Sequence, residues 1–301
     1  MRRLGGVVGT VLARRAEHDR TIWVLDGDLA DSDGADQFAA HHPHRFLNCG
    51  IAEQNMVSVA AGLALKGQRP FVFSFAAFLC YRAYDQIRVG VSQTGLPVTL
   101  VGSHAGGLLG RNGKTHTALN DITVMASLPK MQLWSPAVAQ DIDHIVAALL
   151  AQQGPAYIRL SRAEVPDLHL PFATVRWIGK PSRVAFVTTG SATHWALAAC
   201  ERLVACGIEA GVLDIVRVSP IDEERLRRAA ADIAVAIVVE DHHPLGGLAS
   251  QLRAVGLNCS IVQKCWPADW SGQSGTDAEL RAAFGLDANA LVEFLLANTP
   301  C

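Results

Sequence analysis

What the chain lacks narrows its class before any motif is considered. There is no C-x-x-C pair, and the seven cysteines, Cys49, Cys80, Cys200, Cys206, Cys259, Cys265 and Cys301, are scattered and odd in number. That argues against a disulfide framework and for reduced thiols in the cytoplasm. There is no basic run, and a net charge of -2 gives no electrostatic reason for nucleic acid or an anionic membrane as partner. Apolar runs such as Ile233 to Val239 are far too short to span a bilayer. The Met-Arg-Arg start leads into an amphipathic stretch without the apolar core and small-residue cleavage site of a signal peptide. Aromatics are only 6% of residues and charged side chains 18%, so a local concentration of either carries information.

Half of the 301 residues are hydrophobic, with Ala and Val prominent, enough for two α/β domains that each bury a core. Strand candidates are Thr21 to Leu25, Pro70 to Phe75, Pro97 to Gly102, Met131 to Trp134 and Ala156 to Leu160, separated by longer Ala/Leu-rich helical segments. That alternation predicts parallel sheets covered by helices, with ligands bound beyond the carboxyl ends of the strands. The pattern lapses near Ala163 to Pro181 and resumes with strands near Val184 to Thr188, Ala210 to Val216, Ala234 to Glu240 and Ser260 to Lys264, and two helices after Asp277. The expected fold is therefore α/β, with two domains of mostly parallel sheet. They span 1–165 and 183–301, joined by a linker over 166–182.

Four segments of the first domain sit where a strand ends or a helix begins. Val24-Leu25-Asp26-Gly27-Asp28-Leu29-Ala30-Asp31-Ser32 reads, taken singly, as an acidic turn with a helix cap. Asn48-Cys49-Gly50-Ile51-Ala52-Glu53-Gln54-Asn55-Met56 opens an Ala/Gly-rich helix running to about Lys66. A first-turn carboxylate is commonplace on electrostatic grounds. This helix, however, is too apolar on most faces for a surface, so Glu53 is expected to point into an interface or pocket. Phe73 to Arg88 places four aromatics within ten residues, a concentration that packs a core or walls a planar heterocycle. Val101 to His116 brackets a glycine-rich loop with His104 and His116. Its spacing matches neither the dinucleotide fingerprint nor the P-loop, and two histidines alone make a poor metal site. Acid/base work or substrate hydrogen bonding at a strand end fits better.

Taken together and in this order, G-I-A-E-Q-N-M, F-A-A-F followed by R-A-Y-D-Q-I-R, and the loop from His104 to Thr115-His116 resemble the pyrimidine-binding domain of the transketolase family. The likeness continues through Arg159-Leu160-Ser161-Arg162 and, more loosely, across the second domain. It implies thiamine diphosphate as cofactor. Glu53 would hydrogen-bond the aminopyrimidine and favour the imino tautomer that activates the thiazolium carbon. Phe75 and Phe78 would wall the ring, with Asp28 in support. His104 and His116 would handle hydroxyl and carbonyl protons of a sugar substrate, and Arg162 would hold its phosphate. Arg2 is a weaker match to a second such arginine.

Departures from the family pattern bear on specificity and assembly. Where transketolases carry Glu-Asp-Gly, this chain has Arg111-Asn112-Gly113, losing one charge and reversing another beside the substrate. An anionic or partly deoxygenated sugar is therefore expected. The family's Gly-Asp-Gly and Asn-Asn pair, which holds the diphosphate through Mg2+ (or Ca2+), does not occur here. The resemblance thus implies a separate diphosphate-binding partner subunit, most simply in an α2β2 assembly, with self-association through both domains. Glu240-Asp241-His242-His243 and the following Gly246-Gly247 are expected to serve mainly dimer packing. Three alternatives remain open: the β-subunit of a 2-oxo acid dehydrogenase, a 1-deoxyxylulose-5-phosphate-synthase-like enzyme that decarboxylates pyruvate, and a non-catalytic scaffold. The second is disfavoured because the loop arginine that grips pyruvate aligns with Ala105.

Overall fold

Residues 3–166 and 168–299 are described here in a computed structural model of the chain; Arg2 and Cys301 lie outside them. In the first sheet β1 (Ile22–Asp26), β2 (Phe46–Asn48), β3 (Arg69–Phe75), β4 (Thr99–Ser103), β5 (Gln132–Trp134) and β6 (Ala156–Arg159) all run parallel. A second sheet starts with β7 (Val175–Ile178), β8 (Val184–Thr188) and β9 (Val212–Ile215). β10 (Arg217–Ser219) crosses back to the first sheet, and β11 (Val235–Val239) and β12 (Ser260–Lys264) complete the second. The spatial orders are β10-β5-β6-β4-β3-β1-β2 and β12-β11-β8-β9-β7.

Side-chain alternation along the strands divides the packing. Ile22, Val24, Phe71 and Phe73 face the helices Leu4–Ala16 and Gln140–Ala151, whereas Leu25 and Val72 face the helix Glu53–Leu65. The expected strands form, because each is a short β-branched or aromatic run bounded by turn residues. Three others were not anticipated. β2 and β10 are three residues each, too short for alternation to register, and are strands only by virtue of their neighbours.

β7 corrects the linker expectation. It lies inside 166–182, yet it is an edge strand antiparallel to β9, and Val175 is buried. Its four residues are flanked by proline and glycine, and its partner lies far along the chain, so nothing local marks it. Nor are the two cores independent. A single cluster of buried residues runs from Leu25, Met56 and Leu100 to Val187, Leu213 and Val238.

β10 adds to this joint by pairing antiparallel with β5. Arg176 on β7 adds a buried ionic tie. Its Nη1 and Nη2 donate to the two oxygens of Asp141 at 2.7 Å each, and its Nε and Nη2 donate to Asp214 Oδ2 at 3.0 and 2.8 Å. The carboxyl ends of β1, β3, β4 and β6 lie side by side in the middle of the first sheet. Asp26, Phe75, Ser103 and Arg159 therefore emerge along one edge.

Candidate active site

Glu53 begins the helix Glu53–Leu65, whose Met56, Val57, Ala60, Ala61 and Ala64 are buried at helical spacing and press that face onto the sheet. The same face turns the Glu53 carboxylate inward, where it is only 1% exposed. A buried carboxylate requires a partner. Arg82 supplies it, its Nη1 donating to both oxygens at 2.9 and 2.8 Å. The opposite side of the helix carries Gln54, Asn55, Ser58 and Leu65 at the surface, so the expectation of a buried helix holds for one face only.

Phe75 ends β3, and Phe78 opens a π-helical turn over Phe78–Arg82, closed by the Ala83 N–H donating to the Phe78 carbonyl at 3.2 Å. The rings of Phe75 and Phe78 lie 5.7 Å apart and nearly parallel, at 15°. The turn places Arg82 one winding beyond Phe78, so its guanidinium carbon sits 4.6 Å above that ring. Arg82 thus bridges the Phe78 ring and the Glu53 carboxylate.

His104 follows β4 and adopts φ 55°, in the left-handed region that a non-glycine residue rarely occupies. That backbone turn lays its imidazole on Phe75, with centroids 3.9 Å apart, and its Nδ1 lies 3.2 Å from Ser103 Oγ. Burial, and then the charges of Arg162, Arg3 and His116, lower its pKa to about 4, so it is neutral at neutral pH. His116 meets Phe78 edge-on at 5.3 Å. Two histidines separated by an eleven-residue loop therefore flank one aromatic pair.

The loop between them is held from the second domain. Asp241 Oδ1 accepts the Gly107 N–H at 2.8 Å and the Trp266 Nε1–H at 2.6 Å, while its carbonyl accepts Arg159 Nη2 at 2.7 Å. Gly106 has φ 87°, and a Cβ there would lie 2.1 Å from Asp241 Oδ2, so this approach requires glycine. Within Glu240 to Gly247, Asp241 and His242 are buried and the His243 N–H donates to the Leu119 carbonyl at 2.7 Å, whereas Leu245 is exposed. Burial pushes the His242 pKa down to about 4.

Asp28 leaves β1 with φ 68° and is exposed, accepting from Asn48 Nδ2 at 3.1 Å. Beneath it, Asp26 and Asp33 are both buried. Asp26 Oδ1 accepts the Leu29 N–H at 2.8 Å and Asp33 Oδ1 the Ala35 N–H at 3.2 Å. The second oxygen of each lacks a donor unless one carboxyl keeps its proton for the other. Burial raises both pKa values, and in Asp33 the neighbouring Asp26 charge adds to the effect.

Arg162, Arg111 and Asn112 line a cavity of about 760 Å³ with His104, and Arg3 and Asp277 line it too. Sequence reasoning assigned no role to Arg82, Arg3 or Asp277. For Arg82 a signal existed, since it stands four residues after Phe78 and so shares its side of a helical turn. Arg3 stands beside Arg2, and Asp277 had no local signal at all.

A mostly parallel sheet whose carboxyl edge gathers a buried carboxylate, stacked aromatics and two histidines defines an α/β protein with a candidate site at its strand ends. Residues 3–167 match the family "Transketolase, pyrimidine binding domain", and residues 174–291 match "Transketolase, C-terminal domain". The chain belongs to the transketolase family. It is 34% identical to the 6-deoxy-6-sulfo-D-fructose transketolase subunit SqwH of Clostridium sp. (strain MSTE9), over 94% of this chain and 90% of that protein. It is 33% identical to 1-deoxy-D-xylulose-5-phosphate synthase 1 of Geobacter metallireducens, over 94% of this chain but 47% of the synthase. A solved structure described as a split gene transketolase, inactive beta4 tetramer, superposes with a TM-score of 0.88 at 33% identity, covering 98% of this chain and 97% of that one. The chain spans about half the length of the longer curated relatives it matches.

Proposed function

We propose that this chain is the pyrimidine-binding subunit of a split, thiamine-diphosphate-dependent transferase that moves a two-carbon ketol (glycolaldehyde) unit between sugar phosphates or related aldoses and ketoses in the cytoplasm. The observation that carries it is Glu53, buried and joined through the planar Arg82 cation to Phe78 of the stacked Phe75–Phe78 pair. The Arg82 guanidinium stacks on Phe78 while hydrogen-bonding Glu53, and these are the two contacts an aminopyrimidine ring would make. The residues therefore suit the cofactor's ring, which would take the place of the Arg82 guanidinium between Phe78 and Glu53. Bound there, thiamine diphosphate supplies a nucleophilic carbon that can hold the electron pair of a broken carbon-carbon bond.

The chain's own contribution is positional and protonic. Glu53 would share its proton with the ring nitrogen, Phe75 and Phe78 would fix the ring's plane, and Asp28 would support the cofactor from the end of β1. His104, neutral at neutral pH, and His116 exchange protons with substrate hydroxyl and carbonyl oxygens. Arg162, Arg111 and Asn112, with Arg3, meet the far end of the sugar. A partner subunit holds the diphosphate through Mg2+ (or Ca2+) in an α2β2 assembly. Close coverage of a relative named as a subunit supports this. So does the description of the solved relative's beta tetramer as inactive.

The test is ketol transfer by the reconstituted pair. Glu53→Gln is expected to lower turnover by on the order of a hundredfold or more. Unchanged turnover would remove the assignment.

A further inference from the structure

The substrate cavity is not built by the pyrimidine-binding domain alone. Ser274 to Asp277, from the second domain, lie along it, and they are tied to the loop that carries Arg111 and Asn112. Ser274 Oγ donates to the Arg111 carbonyl at 3.1 Å, and the Gly275 N–H donates to the Gly110 carbonyl at 3.2 Å. Immediately beyond, Thr276 and Glu279 cap each other. The Glu279 N–H donates to Thr276 Oγ1 at 3.2 Å, and Glu279 Oε2 accepts the Thr276 N–H at 2.9 Å. That reciprocal pair fixes the direction of Asp277, whose Oδ1 accepts Arg162 Nη2 at 2.8 Å across a sequence separation of 115 residues.

Arg162 has little freedom left. Its Nε donates to the Leu108 carbonyl at 3.3 Å, and both edges of a guanidinium that can grip a phosphate with two parallel bonds include Nη2. The cavity's charge is also balanced, with Arg3, Arg111 and Arg162 set against Asp31, Asp277 and Glu279. A doubly charged phosphate entering it would find the attraction of three guanidiniums offset by three carboxylates, and to grip Arg162 it would have to share or displace the Asp277 bond. A singly charged or hydroxylated end would not, and Asp277 itself accepts from a hydroxyl.

We propose that Asp277 is a specificity-determining residue, contributed by the second domain, that biases the cavity toward sugars whose distal end carries at most one negative charge and away from dianionic phosphates. The proposal rests on the ketol-transfer reading above for the identity of the substrate, but not for the anion chemistry of the cavity. Because the Arg162–Asp277 pair is partly exposed, the effect is moderate.

The experiment uses the chain reconstituted with its diphosphate-binding partner and compares wild type, Asp277→Asn and Asp277→Glu. A phosphorylated ketose and its unphosphorylated counterpart serve as donors. Asp277→Asn is expected to lower the ratio of their KM values in favour of the phosphorylated donor by about fivefold. Asp277→Glu, which keeps the charge, is expected to stay near wild type. In parallel, thermal protection of the assembly is measured with inorganic phosphate and with methanesulfonate as probes. Wild type is expected to be protected better by methanesulfonate, and Asp277→Asn to gain protection by phosphate. An unchanged KM ratio, or equal gains with both probes, overturns the proposal. If no variant or wild type transfers a ketol unit, the ketol-transfer reading fails, and the probe measurement still decides Asp277.

Discussion

Arg82 holds both carboxylate oxygens of Glu53, at 2.9 and 2.8 Å, while its guanidinium rests 4.6 Å above the Phe78 ring. The carboxylate is buried and the arginine nearly half exposed, so the pair links the interior to the surface.

Because Arg82 is the partner of a buried carboxylate, Arg82→Met is expected to destabilise the isolated chain by about 1–3 kcal/mol, the cost of leaving such a group without its charged donor. Chemical denaturation of the chain alone measures this. The same substitution removes the guanidinium that holds Glu53 and covers Phe78, so thiamine diphosphate is expected to bind the assembled enzyme several-fold more tightly by calorimetry. Weaker binding would mean that Arg82 stays beside the bound ring and helps to hold it.

The interdomain joint is tested by Arg176→Met. Removing this guanidinium leaves Asp141 and Asp214 buried together without a cation, and burial already holds the Asp214 pKa up at about 6. A loss of about 3–5 kcal/mol in unfolding free energy is expected. Arg176→Met combined with Asp141→Leu is expected to recover part of it, since the uncompensated charge is what destabilises.

A third outcome concerns pH. In the native state Asp33 is buried against Asp26 and has a raised pKa. Unfolded Asp33 ionises near its ordinary value of 3.8, so above that value the folded chain binds more protons than the unfolded one. The contribution is present in full below the unfolded pKa, and stability falls as pH rises toward the folded pKa. Asp33→Asn keeps a donor for Asp26 and removes the proton. It is expected to raise Tm by several degrees and to flatten its decline from about pH 5 to about pH 9. Parallel Tm profiles for variant and wild type would show that the pair does not share a proton.

Most strands of both sheets and the helix after Glu53 were legible because each rests on local pattern: β-branched runs for β4, β8 and β12, and Ala/Val spacing that places Met56, Val57, Ala60 and Ala64 on one face. The aromatic pair and the two histidines were found because types rare in this chain cluster near strand ends. β7 was not legible. Four residues among prolines and glycines become a strand only when β9 lies beside them, and a ladder partner far along the chain leaves no local trace. The burial of His242 was not legible either, since a polar run ending in Gly-Gly carries no local sign of which of its side chains turn inward.

Order of elements, parallel α/β character and the residue types able to do acid/base work follow from the sequence by itself, because backbone propensity and side-chain periodicity are properties of neighbours along the chain. Tertiary structure decided the rest. It set Arg82 against Glu53, leaned His104 on Phe75 through a left-handed backbone, buried Asp26 beside Asp33 and brought Asp277 to Arg162. Those relationships depend on distance and desolvation between groups separated along the chain, and such quantities exist only once the sheets have packed.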